Sequence, residues 1–298
     1  MHHDAPLDAF CVDTEEWFHV CAVDTPYADP ATWDAAPATV ERATERLLEM
    51  LEQAGATGTF PTLGWIAEKY PRLVRRIAEL GHEVGCHGYH HHLVYEQTPA
   101  TFRAEVDRAK KLLEDVSGRA VVTFRAPGFS ITREAFWAYP VLAELGFTTD
   151  ISIVPAARTH GGVAGMTRDA FRLDTGAGML TVYPVSVMRL LGRLVPFSGG
   201  GYLRLFPDAL LERGFRENHA AGRPVMTYIH PREIDPAQPR LQLPWQRAFQ
   251  TYVGIAGCEG KLRRMLARHR FGTVQQVLAA HPPVHTRVLR DGDLVESA

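Results

Sequence analysis

Between Leu7 and about Phe147 the chain alternates short β-like runs with amphipathic helical runs, the pattern of βα units that feed a parallel sheet. Few other architectures accept that order, because each helical stripe must find a sheet face to cover. Asp8 to Asp13 reads as the first strand. A helix is expected from about Thr39, where Val40, Ala43, Leu47 and Leu51 recur every three or four residues, to Gly55, a natural residue just past a helix end. Thr57 to Leu63 is a second strand. Pro71 then opens a helix whose Leu73, Val74, Ile77 and Leu80 point inward before Gly81 stops it. Glu83 to His87 is the third strand. Thr98-Pro99 reads as N-cap and first helical residue, with Phe102, Val106, Ala109, Leu112 and Leu113 inward as far as Ser117-Gly118. Val121 to Arg125 is strand four. Thr132 is expected to cap a helix to Gly146 that Pro140 kinks or interrupts, and Thr148 to Val154 is strand five.

Past residue 155 the regularity weakens. Gly-rich segments at 161–165, 176–178 and 199–201 predict short strands or hairpins, and Pro224 to His230 restores a β-like run. Pro231 to Pro244 reads as a proline-punctuated loop, with helix around Lys261 to Arg268. The expected organisation is one α/β, barrel-like domain over 1–282, including an insertion and C-terminal extension from about 155, followed by a polar tail at 283–298.

Composition narrows the function. The 298 residues are 46% hydrophobic and 22% charged, which excludes disorder, and a net charge of −2 leaves no cationic surplus to attract nucleic acid. No apolar run approaches 18 residues, and the N-terminus is acidic where a secretory signal would be basic, so a cytoplasmic location is expected. Cys11, Cys21, Cys86 and Cys258 lie far apart with no CxxC pair, and reduced, packed thiols are expected. Fourteen histidines are present, four of them at 87–92.

In a parallel barrel the C-terminal strand ends converge on one face, so polar residues just after apolar runs are candidates for chemistry. On a strand, Asp13 and Glu15 project to one side, whereas Glu16 points away unless the strand has ended. If the segment after strand three turns helical, His87 and His91 stack on one face and can share a cation; His87 and His90 would serve nearly as well. Two imidazoles and a carboxylate, Glu15, leave positions open for water, the composition of a catalytic zinc site. Arg125-Ala-Pro127, Asp150-Ile-Ser152 and Tyr228-Ile-His230 close three further apolar runs. A buried Arg125 needs a carboxylate, and Asp13 is the candidate. Trp17, Phe18, Trp65 and Tyr202 are aromatic candidates for sugar stacking or for packing.

Taken in order, these motifs resemble those of the polysaccharide deacetylases of the NodB-homology group, carbohydrate esterases on a distorted (β/α) barrel. Asp13-Thr-Glu15, His87-x-x-x-His91, Arg125-Ala-Pro127, Asp150-Ile-Ser152 and Ile229-His230 match the five motifs. The strings at 81–89, 196–204, 230–240 and 270–274 are similar to signatures of a branch associated with bacterial exopolysaccharide export, which carries a C-terminal extension. Glu16, His90, Gly128 and Gln250-Thr251 depart from that branch, which usually has aspartate, a small residue, serine and arginine-histidine there.

The resemblance implies metal-dependent removal of N-acetyl groups from amino sugars. Zn2+ or another divalent transition metal would sit on Glu15, His87 and His91, with Asp13 as general base held by Arg125. His230 would be the general acid with Asp150 as its partner, and Trp17, Pro127, Gly128, Phe129 and Tyr202 would contact substrate, a backbone N–H at 128–129 serving the oxyanion. The implied partner is an N-acetylated polysaccharide or oligosaccharide, and peripheral association with a membrane export complex is compatible with it. A metal-independent amidohydrolase acting on a small C–N bond would keep full activity in chelator. A catalytically silent carbohydrate-binding protein would bind without releasing acetate. A histidine-rich metal-storage protein fits poorly, since it needs no base, arginine or separate acid.

Overall fold

The computed structural model describes residues 5–21, 25–158 and 161–296, so the first four residues and the last two of the 283–298 segment lie outside it. The βα alternation is present. Strand β1 (Leu7–Val12) leads to α1 (Val40–Gln53), whose Leu47 and Leu51 are buried, each worth about 1.5–3 kcal/mol of transfer free energy. Strand β2 (Thr59–Thr62) is followed by α2 (Gly64–Lys69) and α3 (Pro71–Glu79), and β3 (Glu83–Cys86) by α4 (Pro99–Ser117). Thr98 and Thr101 form a reciprocal capping box on α4, and Gly118 ends it at φ +65°, as the Thr-Pro start and Ser-Gly stop predict.

The next units are shorter than expected. Strand β4 is Thr123–Phe124 and β5 is Thr149–Asp150, and the helix expected over 132–146 divides into a 3₁₀ turn (Arg133–Ala135) and α5 (Ala138–Glu144). Pro140 falls in the first turn of α5, where its missing N–H costs no helical bond.

Strands β6 (Phe171–Asp174) and β7 (Met179–Val182) form one hairpin, and β8 (Val187–Leu190) and β9 (Arg193–Pro196) another. The 199–201 glycines do not make a hairpin; they open α6 (Gly200–Leu205), which is followed by α7 (Asp208–His219) and β10 (Met226–Ile229). The extension continues as α8 (Trp245–Tyr252), α9 (Ile255–Arg268), β11 (Arg270–Gly272) and α10 (Val274–Ala280).

The polar tail is corrected: it is a β-hairpin, β12 (His285–Arg290) and β13 (Asp293–Glu296), and β12 pairs in parallel with β6. Its turn, Asp291-Gly292, has φ +51° and +79°, the twist that a two-residue hairpin demands.

Among the described residues eleven strands share one sheet, and β10-β1-β2-β3-β4-β5-β7 run parallel in that order. No ladder joins β7 to β10 among these residues. The segment after β7 is instead tied to β10 by side chains: the Tyr183 hydroxyl donates to the Pro224 carbonyl (3.0 Å), and the Met226 N–H donates to the Ser186 hydroxyl (2.9 Å). The α/β barrel is distorted at this seam. Cys11, Cys86 and Cys258 are buried and unpaired, and Cys21 is half-buried.

Candidate active site

The five motifs all follow apolar strands at the same end of the sheet. Backbone bonds hold the β1 extension straight: Asp13 donates to the Ile229 carbonyl (2.9 Å) and Thr14 to that of Pro61 (2.7 Å). Period-two alternation therefore continues past β1 and carries Asp13 and Glu15 inward together. Glu16 turns the other way. Its carboxylate accepts the N–H groups of Thr39 (2.9 Å) and Val40 (3.1 Å) and the Thr39 hydroxyl (3.0 Å), capping α1. That use leaves Glu15 as the acid facing the histidines.

His87 and His91 do meet, but the helical reading of 87–92 is corrected. The segment is a tight loop with positive φ at Gly88 (+79°) and His91 (+62°). The first-turn N–H groups of Gly64 and Trp65 on α2 donate to the carbonyls of Gly88 (2.9 Å) and Tyr89 (3.2 Å), clamping that loop. Glu15 Oε2 lies 2.7 Å from His91 Nε2 and 3.7 Å from His87 Nε2. The His87 Nδ1–H donates to the Arg125 carbonyl (2.8 Å), which fixes Nε2 as the free lone pair. His90 and His92 turn outward onto Glu105 of α4, at 2.8 and 3.0 Å, and take no part.

These three ligands fit a cation. Glu15 Oε2 is buried and, despite its 2.7 Å approach to His91, makes no aligned hydrogen bond, as expected of donors that face a shared ion rather than each other. Burial disfavours the charged His91, but the Glu15 carboxylate outweighs it and holds the imidazole up at about 10. Burial likewise pushes the Glu15 carboxyl up, and the charges of His91 and His230 reverse that to well below its ordinary range. A divalent cation would replace the proton that this arrangement draws to His91. Two imidazoles and one carboxylate suit zinc or a neighbouring transition metal with positions left open.

Beside this cluster, Asp13 lies 3.3 Å from Arg125 Nε, both almost fully buried, as the charge argument required. His230 Nε2 is 3.8 Å from Asp13 and 3.7 Å from Glu15. The expected Asp150–His230 pair is corrected. Asp150 accepts from the Ser152 hydroxyl (2.5 Å) and N–H (3.1 Å), and Ser152 in turn accepts the Ala126 N–H (2.8 Å). Asp150 thus braces the Arg125-Ala126 turn, and burial raises its carboxyl to about 6 against those bonds and the Arg125 charge. The carboxylate beside His230 is instead Glu233, which accepts the His230 backbone N–H (3.2 Å) and lies 3.6 Å from the imidazole Nδ1.

The cluster sits in a cleft of about 1010 Å³ lined also by Gly128, Phe129 and Tyr202. The Phe129 N–H is spent on the Ala126 carbonyl (3.0 Å), which leaves Gly128 as the candidate oxyanion donor. Trp17 is corrected: it is buried, its indole N–H bonds the Pro37 carbonyl (2.9 Å), and neither it nor Pro127 lines the cleft. Phe18 and Trp65 also belong to the core. Sequence reasoning missed His19, which stacks on His91 (5.5 Å between centroids) and takes the Glu16 N–H on Nδ1 (3.1 Å). It also missed the wall built by α8 and by Arg158, Arg232 and Arg247. His19 carried a weak signal, two residues beyond Trp17 in the first motif; the wall had none, because its parts come from three separate segments.

Residues 31–149 match the family model "Polysaccharide deacetylase", and residues 151–279 match a model described as a domain of unknown function, DUF3473. A peptidoglycan-N-acetylglucosamine deacetylase of Bacillus cereus is 32% identical over 96 residues, 32% of this chain and 35% of that protein. A chitooligosaccharide deacetylase of Azorhizobium caulinodans is 32% identical over 85 residues, 28% and 40% of the two chains. The chain therefore spans only about a third to two fifths of the length of these curated relatives. A crystal structure from Mycobacterium smegmatis, provisionally identified as a polysaccharide deacetylase, superposes with a TM-score of 0.61 at 23% identity, covering 91% of this chain and 88% of that one. At that identity the likeness speaks for the fold.

Proposed function

We propose that this chain, whose residues 31–149 match the polysaccharide deacetylase family model, hydrolyses the N-acetyl group of an amino sugar within a polysaccharide or oligosaccharide. The observation that carries the proposal is the meeting of Glu15 Oε2, His87 Nε2 and His91 Nε2 within 4.8 Å of one another, with the Asp13–Arg125 pair and His230 beside them at the cleft floor. Glu15, His87 and His91 would hold a divalent cation, which would supply Lewis acidity toward a bound water and the acetyl carbonyl. Asp13, oriented by Arg125, accepts the proton of the attacking water as its oxygen bonds the carbonyl carbon. The Gly128 N–H faces the oxygen that gains charge. His230 delivers a proton to the amide nitrogen as the C–N bond breaks, since an unprotonated amine leaves poorly. Acetate and a free amino sugar result.

Support for a bacterial exopolysaccharide as the substrate, and for association with its export machinery, comes from the resemblance of the strings at 196–204 and 230–240 to signatures of the export-associated branch. Among the described residues no helix is long and apolar enough to cross a membrane. Acetate release from N-acetylglucosamine oligomers, with metal content measured on the same sample, tests the reading. His87→Ala is expected to lose bound metal and at least about 100-fold in kcat/KM, about 2.7 kcal/mol of transition-state stabilisation. Metal-free His87→Ala protein that turns over as fast as the parent would sink it.

A further inference from the structure

The carboxylates that line the cleft are already matched. Asp13 faces Arg125, Glu15 faces His87 and His91, and Glu233 lies 3.1 Å from Arg204 with both side chains buried. Three arginines that line the same cleft, 158, 232 and 247, remain in surplus. Arg158 Nη1 is buried with no hydrogen-bond partner among the described residues, and its guanidinium lies 5.1 Å from the Phe129 ring centroid. Arg232 Nη1 is likewise unpartnered, and its nearest carboxylate is Glu15 at 3.8 Å. Arg247 donates to the Cys21 carbonyl (2.7 Å) and has no carboxylate partner among the described residues. A chain with net charge −2 gathers cations in a deep cleft at a desolvation cost, which an anionic ligand offsets.

Beside these arginines α8 buries none of its residues. Trp245 and Phe249, four residues apart on one helical face, are 75% and 54% exposed and line the same cleft. Exposed aromatic rings lining the cleft offer faces on which the apolar side of a sugar ring can stack. At about 1010 Å³ the cleft also reaches the upper end of the range for single small-molecule sites, which gives room for more than one sugar unit.

We propose that the cleft is built for an acidic glycan: an amino-sugar oligomer or polymer with a carboxylate or phosphate close to the N-acetylated unit, its anion taken by Arg158, Arg232 and Arg247 and its neighbouring rings laid on Trp245 and Phe249. This rests on the deacetylase reading and narrows it to a substrate class.

Calorimetric titration tests it with three matched probes: an oligomer alternating N-acetylglucosamine with glucuronate, its carboxyl-reduced neutral counterpart, and an N-acetylglucosamine oligomer joined by phosphodiesters. At low ionic strength at least one anionic probe is expected to bind about tenfold or more tightly than the neutral one, and the better of the two identifies the anion. Raising the salt, or making the double substitution Arg158→Gln/Arg247→Gln, is expected to erase most of that preference, while Arg158→Lys/Arg247→Lys retains most of it. Equal binding of charged and neutral probes, no binding of any, or a preference that survives the glutamine substitutions overturns the inference. Acetate release is scored separately. Turnover without charge preference refutes only the acidic-glycan inference, and charge preference without any acetate refutes only the deacetylase reading.

Discussion

Glu15 and Glu16 carry the same carboxylate on successive residues and do opposite jobs, because an extended backbone sends one side chain into the cleft and the next toward α1. The consequence is measurable. Glu16→Gln is expected to leave bound metal unchanged and to cost about 1–2 kcal/mol in a denaturant titration, the usual scale of a helix cap. Glu15→Gln is expected to abolish metal binding. Metal loss from the Glu16 variant would assign the ligand to the wrong carboxylate. A similar division separates His87 and His91, which face Glu15, from His90 and His92, which are held on Glu105.

At the scale of the element, the 3₁₀ turn Pro231–Ile234 after β10 decides where the proposed acid sits, since Glu233 on that turn holds both His230 and Arg204. Burial alone would raise the Glu233 carboxyl, but the hydrogen bond with His230 and the Arg204 charge overturn this and hold it at about 2. A carboxyl whose folded pKa is depressed contributes stability that is fully present above its unfolded value and is lost as pH falls through the folded one. The window here runs from about 4.5 down to about 2, and the contribution is on the order of 3 kcal/mol at neutral pH. Melting temperatures across pH 5 to 3 should therefore fall more steeply for the parent than for Glu233→Gln, which starts lower because Arg204 has lost its charge partner. Parallel curves for the two proteins would refute the assignment.

Across the whole molecule, the sheet is completed from the far end of the chain. Strand β12 pairs with β6, and Arg133 on the barrel meets Asp293 in the hairpin at 2.6 Å. Truncation after residue 282 is expected to lower the melting temperature by roughly 5 °C or more and to promote self-association, because β6 becomes an open edge. Metal binding should survive, since the ligands lie on the opposite run of strands β1 and β3; a truncated protein of parental stability would return 283–298 to the status of a tail.

Local periodicity was enough to place β1 to β3 and α1, α3 and α4, since the face an element buries is written in residues three, four or two apart. It was also enough to nominate Asp13, Glu15, His87, Arg125 and His230, which close apolar runs, whereas His91 was nominated by its spacing of four from His87, on a helical reading that the loop overturned. The hairpin turning at Asp291-Gly292 was missed, because so polar a segment reads as a tail. What the tertiary structure alone decided are contacts between residues far apart in the chain: Glu16 with Thr39, Asp150 with the Arg125 turn rather than His230, the loop that clasps His87 to His91, and the arginine wall from 158, 232 and 247. Such pairings arise when separately folded faces dock, and no spacing within one element encodes them, because their partners are chosen by the shape and charge left over once each element has buried its own apolar side.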